Sequence, residues 1–249
     1  MDIRLVRHAT LVVRLGEKTL LVDPMLSPPG AMPPIPNSPN DRHNPLVPLP
    51  DLDLSPVDAV LVTHTHPDHF DEAAAERLRK NLPLFCQPED EEELRSSGFS
   101  DVRPVTERLA WEGVELLRTG GRHGTGEIGA AMAPVSGFVL RATEEPALYI
   151  AGDTIWCPEV ADALARHRPR AAVVNAGAAQ FVTGDPITMS ERDVAEVCRH
   201  ATETTIIAVH MEAINHCLLS RDDLKTFLKG QNLSQQVVIP ADGERVEFS

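Results

Sequence analysis

The chain has 249 residues, with 37 acidic against 23 basic side chains, a formal net charge of −14, and only 4% aromatic residues. That length can bury a sizeable core, and the acidic balance with few stacking rings argues against a nucleic-acid partner. Arg4, Arg7 and Arg14 leave no room for an apolar signal segment, and no run approaches the roughly 20 apolar residues that cross a bilayer.

In chain order, the first 23 residues read as strands. Leu11–Val13 and Thr19–Val22 are apolar runs around the turn residues Gly16-Glu17-Lys18, a hairpin ending at Asp23-Pro24. Residues 27–50 then hold nine of the 21 prolines, a texture that excludes central strands and helix interiors and predicts a long surface loop. A strand follows over Val57–Thr63, and a helix over Asp71–Lys80 with Asp71 as its N-cap. Leu84–Cys86 is a short apolar segment, and the acidic run before Gly98 opens a helix over Asp90–Ser97. Strands are predicted at 101–105, 113–118, 136–141, 146–151, 171–175, 204–209, 236–239 and 245–248, and helices at 158–167, 190–201 and 220–229. Strands dominate early and alternate with helices late, which suggests an α/β chain with two sheets covered by helices. Residues 1–249 are expected to form one domain. Cys86, Cys157, Cys198 and Cys217 form no CxxC pair and read as free thiols of a reducing, cytoplasmic compartment.

One segment carries chemistry. His64-Thr65-His66-Pro67-Asp68-His69 places three imidazoles and a carboxylate directly after an apolar strand. In extended chain His64 and His66 share a face and converge on one ion, whereas Pro67 turns the chain and sends Asp68 and His69 to a second position. Imidazole with carboxylate suits zinc, manganese or iron.

This HxHxDH run resembles the signature of the metallo-β-lactamase superfamily, whose fold is a four-layer αβ/βα sandwich of two mixed sheets flanked by helices. The resemblance extends to His123 in a glycine-rich loop, Asp153 in Ala151-Gly152-Asp153-Thr154, and His210 after the strand ending at Val209. It implies that His64, His66 and His123 hold one divalent ion, that Asp68, His69 and His210 hold a second, and that Asp153 bridges both. Plainer roles compete: loop stabilisation for His123, helix capping for Asp153, and for His210 a rival ligand in His216. His216 is otherwise read as a contact to substrate or to the proline-rich loop. Within the superfamily, Arg7-His8-Ala9-Thr10 followed by Leu20-Leu21-Val22-Asp23-Pro24 resembles the branch of small bacterial hydrolases that includes ascorbate-6-phosphate lactonase. His8 there either supports the metal site or packs between strands, and Asp23 is expected to orient ligating histidines. The chain is shorter than that lactonase and richer in loop proline, so the substrate does not transfer.

The resemblance implies a binuclear hydrolase. A metal-bound hydroxide attacks a small ester, lactone, amide or phosphodiester, and Asp68 orients the nucleophile and accepts its proton. The alternatives are a non-catalytic metal-binding or regulatory module, a nuclease-type phosphodiesterase disfavoured by the acidic surface, and a redox protein. Di-iron flavoproteins of this fold carry glutamate where this chain keeps His66. Arg122, Asn175, Gln180, Trp156 and Met189 are candidate substrate contacts, each with packing or turn roles as the alternative. His43, His167 and His200 read as surface residues.

Overall fold

The computed structural model describes residues 1–248 and shows two seven-stranded mixed sheets face to face. In the first, β1 (Asp2–Arg7), β2 (Thr10–Leu15), β3 (Lys18–Val22), β4 (Ala59–Leu61), β5 (Leu84–Cys86) and β6 (Val102–Pro104) lie side by side in chain order. The second runs β7 (Arg108–Trp111), β8 (Val114–Thr119), β9 (Gly137–Ala142), β10 (Leu148–Ile150), β11 (Ala171–Asn175), β12 (Thr205–Val209) and β13 (Val237–Val238). The last strand, β14 (Arg245–Glu247), returns to the first sheet beside β1. Each sheet begins antiparallel and turns parallel, at β3–β4 in the first and β10–β11 in the second.

Alternation along the strands builds the layers. Leu20 and Val22 of β3 enter the core between the sheets, and Leu21 faces outward. In β12, Ile207 and Val209 point between the sheets while Ile206 and Ala208 meet the helices. Both faces of these strands are therefore apolar, as strands covered on two sides must be. Helices α1 (Glu72–Arg77) and α2 (Glu91–Ser96) cover the first sheet. Helix α3 (Gly126–Met132) follows the His123 loop, and α4 (Pro158–His167), α5 (Glu191–His200) and α6 (Arg221–Gly230) cover the second sheet. This is the αβ/βα sandwich. Among the described residues, no helix is long and apolar enough to cross a membrane.

Local chemistry sets the boundaries. Asp71 caps α1 by accepting from the Ala74 amide at 2.8 Å, and its other oxygen accepts from the Ser27 amide at 2.7 Å, tying the proline-rich loop to the helix. Ser190 and Asp193 form a reciprocal capping box on α5. Three expectations are corrected. Helix α1 ends at Arg77 rather than Lys80, where Leu78 turns extended. β7 is an additional strand; Trp111 is buried in the core and Leu109 packs against it, while Arg108 and Ala110 are exposed. α3 buries no residue at all, so it has no apolar face to read, and a Cβ at Gly129 would lie 2.6 Å from the Gly124 carbonyl oxygen.

A polar seam joins the sheets near the site. The buried Gln87 amide donates to Asp90 and to the Pro134 carbonyl, both at 3.0 Å, and accepts from Ser136 Oγ at 2.8 Å. Arg118 donates to Ser136 and to Glu89. Burial pushes the Asp90 carboxyl up to about 6. A folded-state value above the unfolded 3.8 means that this group's stabilisation is complete below 3.8 and is lost as pH rises through about 6. Asp90→Asn is expected to gain stability relative to the parent as pH rises from 4 to 8. Urea midpoints measured across that range check this, and a pH-independent difference would contradict it.

Candidate metal centre

Strands β1, β3 and β4 of the first sheet point the same way, as do β8, β10, β11 and β12 of the second. Their carboxyl ends deliver, in turn, His8, Asp23, the His64–His69 segment, His123, Asp153, Asn175 and His210 to one edge of the sandwich. Hydrogen-bonded regular structure ends there, which frees these side chains to turn inward.

The seven predicted ligands come together. Ligand atoms of His64, His66 and His123 lie within 4.8 Å of one another, as do those of His64, His69 and Asp153, and those of His8, Asp68, His69 and His210. Asp153 divides its oxygens: Oδ2 lies 3.3 Å from His123 Nε2, and Oδ1 lies 3.3 Å from the Nε2 atoms of both His69 and His210. Asp68 Oδ2 is 3.5 Å from His210 Nε2.

Neighbours fix which nitrogen faces inward. His123 Nδ1 donates to the Ile187 carbonyl at 2.8 Å, leaving its Nε2 lone pair toward Asp153. Asp23 Oδ2 faces His69 Nδ1 at 2.9 Å and accepts from the Thr63 hydroxyl at 2.8 Å. That hydroxyl, its proton committed to Asp23, accepts from His64 Nδ1 at 3.1 Å. His210 Nδ1 is 3.6 Å from Cys217 Sγ. His64, His69, His123 and His210 thus direct Nε2 inward, and His66 directs Nδ1 to within 3.0 Å of His64 Nε2. Converging imidazole lone pairs around an ionised carboxylate form a borderline N/O donor set, so the residues fit divalent metal.

The charged groups of the cluster also bias one another. Burial would raise Asp153, yet His210, His69 and His123 hold it well below the carboxylate range. Asp68 is likewise held low against burial by the approach of His210 and by the hydrogen bond from His8. Burial opposes charge on His69, but Asp153 and Asp23 lift it well above its ordinary value, so a bound metal ion would displace the proton from its Nε2.

His8 takes a specific place. It is fully buried, its Nε2 donates to Asp68 Oδ2 at 3.1 Å, and its ring stacks on His210 with centroids 3.6 Å apart. Burial and His210 push it down to about 3, so it donates as neutral imidazole. Asn175 donates to Asp153 Oδ1 at 2.6 Å. The remaining candidates are engaged outside the donor set, although Arg122 and Trp156 line a cavity beside His123. The Arg122 guanidinium is committed to Glu159, Gln180 donates to the Gly184 carbonyl, and Met189 and Trp156 pack with the helix-side core. The Cys217 contact went unread, because a lone cysteine in sequence carries no pairing signal.

The Beta-lactamase superfamily domain model matches residues 18–211. The UPF0173 protein YddR of Bacillus subtilis is 41% identical over the full length of both chains. Among solved structures, a possible metal-dependent hydrolase from Veillonella parvula is 37% identical with a TM-score of 0.95, covering 99% of this chain and 98% of that one. An isothiocyanate hydrolase from Delia radicum gut bacteria is 36% identical with a TM-score of 0.95, covering 100% and 99%.

Because His8 orients Asp68, His8→Ala is expected to weaken metal affinity by about 10- to 100-fold with the fold retained. Competition against a chromogenic chelator measures this, and an unchanged affinity would reduce His8 to packing.

Proposed function

The chain belongs to the β-lactamase superfamily and is a metal-dependent hydrolase, and on that footing we propose that it hydrolyses small, uncharged, apolar-substituted electrophiles, isothiocyanates foremost and esters or lactones next. The observation that carries this reading is the cavity beside Asp68. It has a volume of about 710 Å³ and an apolar wall of Met32, Pro33, Pro34, Ile35, Pro36 and Ile214. Its charged lining is carboxylate only, including Glu72, Glu76 and Glu93, and no lysine or arginine reaches it. A phosphodiester or other anion would meet that lining without a counter-charge, which disfavours the phosphodiester. The 36% identity to an isothiocyanate hydrolase supports the heterocumulene among the neutral electrophiles.

The wall is fixed in place. Asn215 Nδ2 donates to the Asn40 carbonyl, Asn215 Oδ1 accepts from the Ile35 amide and from Asn44 Nδ2, and its own amide donates to Asn44 Oδ1. The proline-rich loop is therefore a rigid side of the pocket, preorganised for an apolar substituent.

In this reading His64, His66, His123 and Asp153 would hold one divalent ion, and Asp68, His69, His210 and Asp153 would hold another, zinc or manganese. The ions supply Lewis acidity and lower the pKa of water, the chemistry a neutral-pH hydrolase needs. The protein does the rest. Asp68, with Oδ2 held by His8, keeps Oδ1 for the proton of the attacking water. Water oxygen bonds to the central carbon, the C=N electron pair moves to nitrogen, and that nitrogen takes the proton. The remaining hydroxyl proton then passes to the same nitrogen as the carbon–nitrogen bond breaks, which yields amine and carbonyl sulfide. The apolar wall holds the organic group and excludes bulk water.

Phenethyl isothiocyanate is expected to be turned over with kcat/KM at least about 100-fold above that for bis(4-nitrophenyl) phosphate, the cost of an unpaired charge at the wall. Activity should vanish on chelation and return with zinc or manganese. The reverse substrate order in steady-state assays would overturn the reading.

A further inference from the structure

His216 has no part in the donor set, yet it is placed to act on what the centre binds. It belongs to none of the groups whose ligand atoms converge within 4.8 Å, so it is not a rival to His210. The ring is 6% exposed, and Nδ1 is buried with no partner among the described residues. An orphaned buried nitrogen is retained where another species fills it. Beyond the effect of burial, the groups whose charge reaches this ring are Asp68, His210, Asp153 and His123, which belong to both halves of the centre. Its neighbours in the chain flank the site: Ile214 lines the cavity beside Asp68, and Cys217 Sγ lies 3.6 Å from Nδ1 of His210, on the side of that ring away from the donor cluster.

The backbone holds this position from two sides. Asn215 is clamped to the proline-rich loop, and the His216 carbonyl accepts from the Gln180 amide at 2.9 Å. The Phe181 ring stands 6.1 Å away, centroid to centroid. Among the described residues no carboxylate oxygen is hydrogen-bonded to the ring, and burial outweighs the pull of Asp68 and Asp153, which leaves a neutral imidazole.

We propose that His216 is a catalytic residue whose imidazole N–H donates a hydrogen bond to the substrate heteroatom on which negative charge builds as water adds. In an isothiocyanate that atom is nitrogen or sulfur, and in an ester or lactone it is the carbonyl oxygen. This rests on the reading of the chain as a hydrolase of neutral electrophiles. A fixed donor aimed at developing charge acts in the transition state more than in substrate binding.

The test compares the metal-loaded parent with His216→Phe, which keeps a ring and removes the donor, and His216→Gln, which restores one. Metal content is expected to stay at the parental level in both. With phenethyl isothiocyanate, His216→Phe should lose about 100- to 1000-fold in kcat with KM little changed, and His216→Gln should recover at least about tenfold of that. Calorimetry with 2-phenylethylboronic acid, which takes up a hydroxyl and carries the charge, should show at least about tenfold weaker binding to His216→Phe and near-parental binding to His216→Gln. Equal boronate affinity in all three proteins, no binding by the parent, or metal loss in both variants overturns the assignment. Boronate discrimination without isothiocyanate turnover by the parent instead overturns the isothiocyanate reading and leaves His216 in its role.

Discussion

The structure depends on keeping one buried carboxylate ionised. Asp153 is 3% exposed, and desolvation alone would protonate it. Its charge survives because imidazoles approach each oxygen: His123 on one, His69 and His210 on the other. His69 comes from the first sheet, while His123 and His210 come from the second. The two sheets must therefore close face to face in one register before Asp153 has its partners. Closing the sandwich and assembling the site are the same event, and the apolar layer between the sheets supplies its driving force.

The edge where the strands end is also where backbone strain gathers. His8, Asp23 and His210 are not glycines, yet have φ of 60°, 44° and 69°. Each such residue costs on the order of 1 kcal/mol, offset locally by hydrogen bonds. The His210 amide donates to the His8 carbonyl at 2.9 Å, and the Asp23 amide donates to the Leu61 carbonyl at 2.9 Å. The left-handed turn ends the strand while its side chain is thrown inward. Gly177 shows how tightly the chain is drawn here, since a Cβ at that position would lie 2.2 Å from the His210 carbonyl oxygen.

What was legible in the sequence follows from how locally each feature is encoded. His64, His66, Asp68 and His69 share one short segment, so period-two geometry and a proline turn already group them. His123, Asp153 and His210 are far apart in sequence, and only the resemblance joined them to that segment. The strands with apolar faces and the helices with caps were readable for the same reason. β7 and α3 were not: β7 offers only Leu109 and Trp111 to the core, too short a run for alternation to register, and α3 buries no residue. The role of His8 depends on a contact across 60 positions with Asp68, and Arg122 is neutralised by a Glu159 that lies on another element. Such pairings exist only in three dimensions. The charge balance carried real but limited information: it pointed away from nucleic acid, and the cavity beside Asp68 is itself lined by carboxylates.

The clamp between Asn44 and Asn215 has a consequence for how such a chain can diversify. The loop segment from Met32 to Pro36 supplies most of the apolar wall but none of the ligand cluster. Its ends are secured by amides, so its interior can vary in size and shape without disturbing the strand ends that hold the centre. Selectivity and reactivity are encoded in separate stretches of sequence, and they can evolve independently. A lineage that keeps the two asparagines can exchange one substrate for another while inheriting the same strand-end cluster.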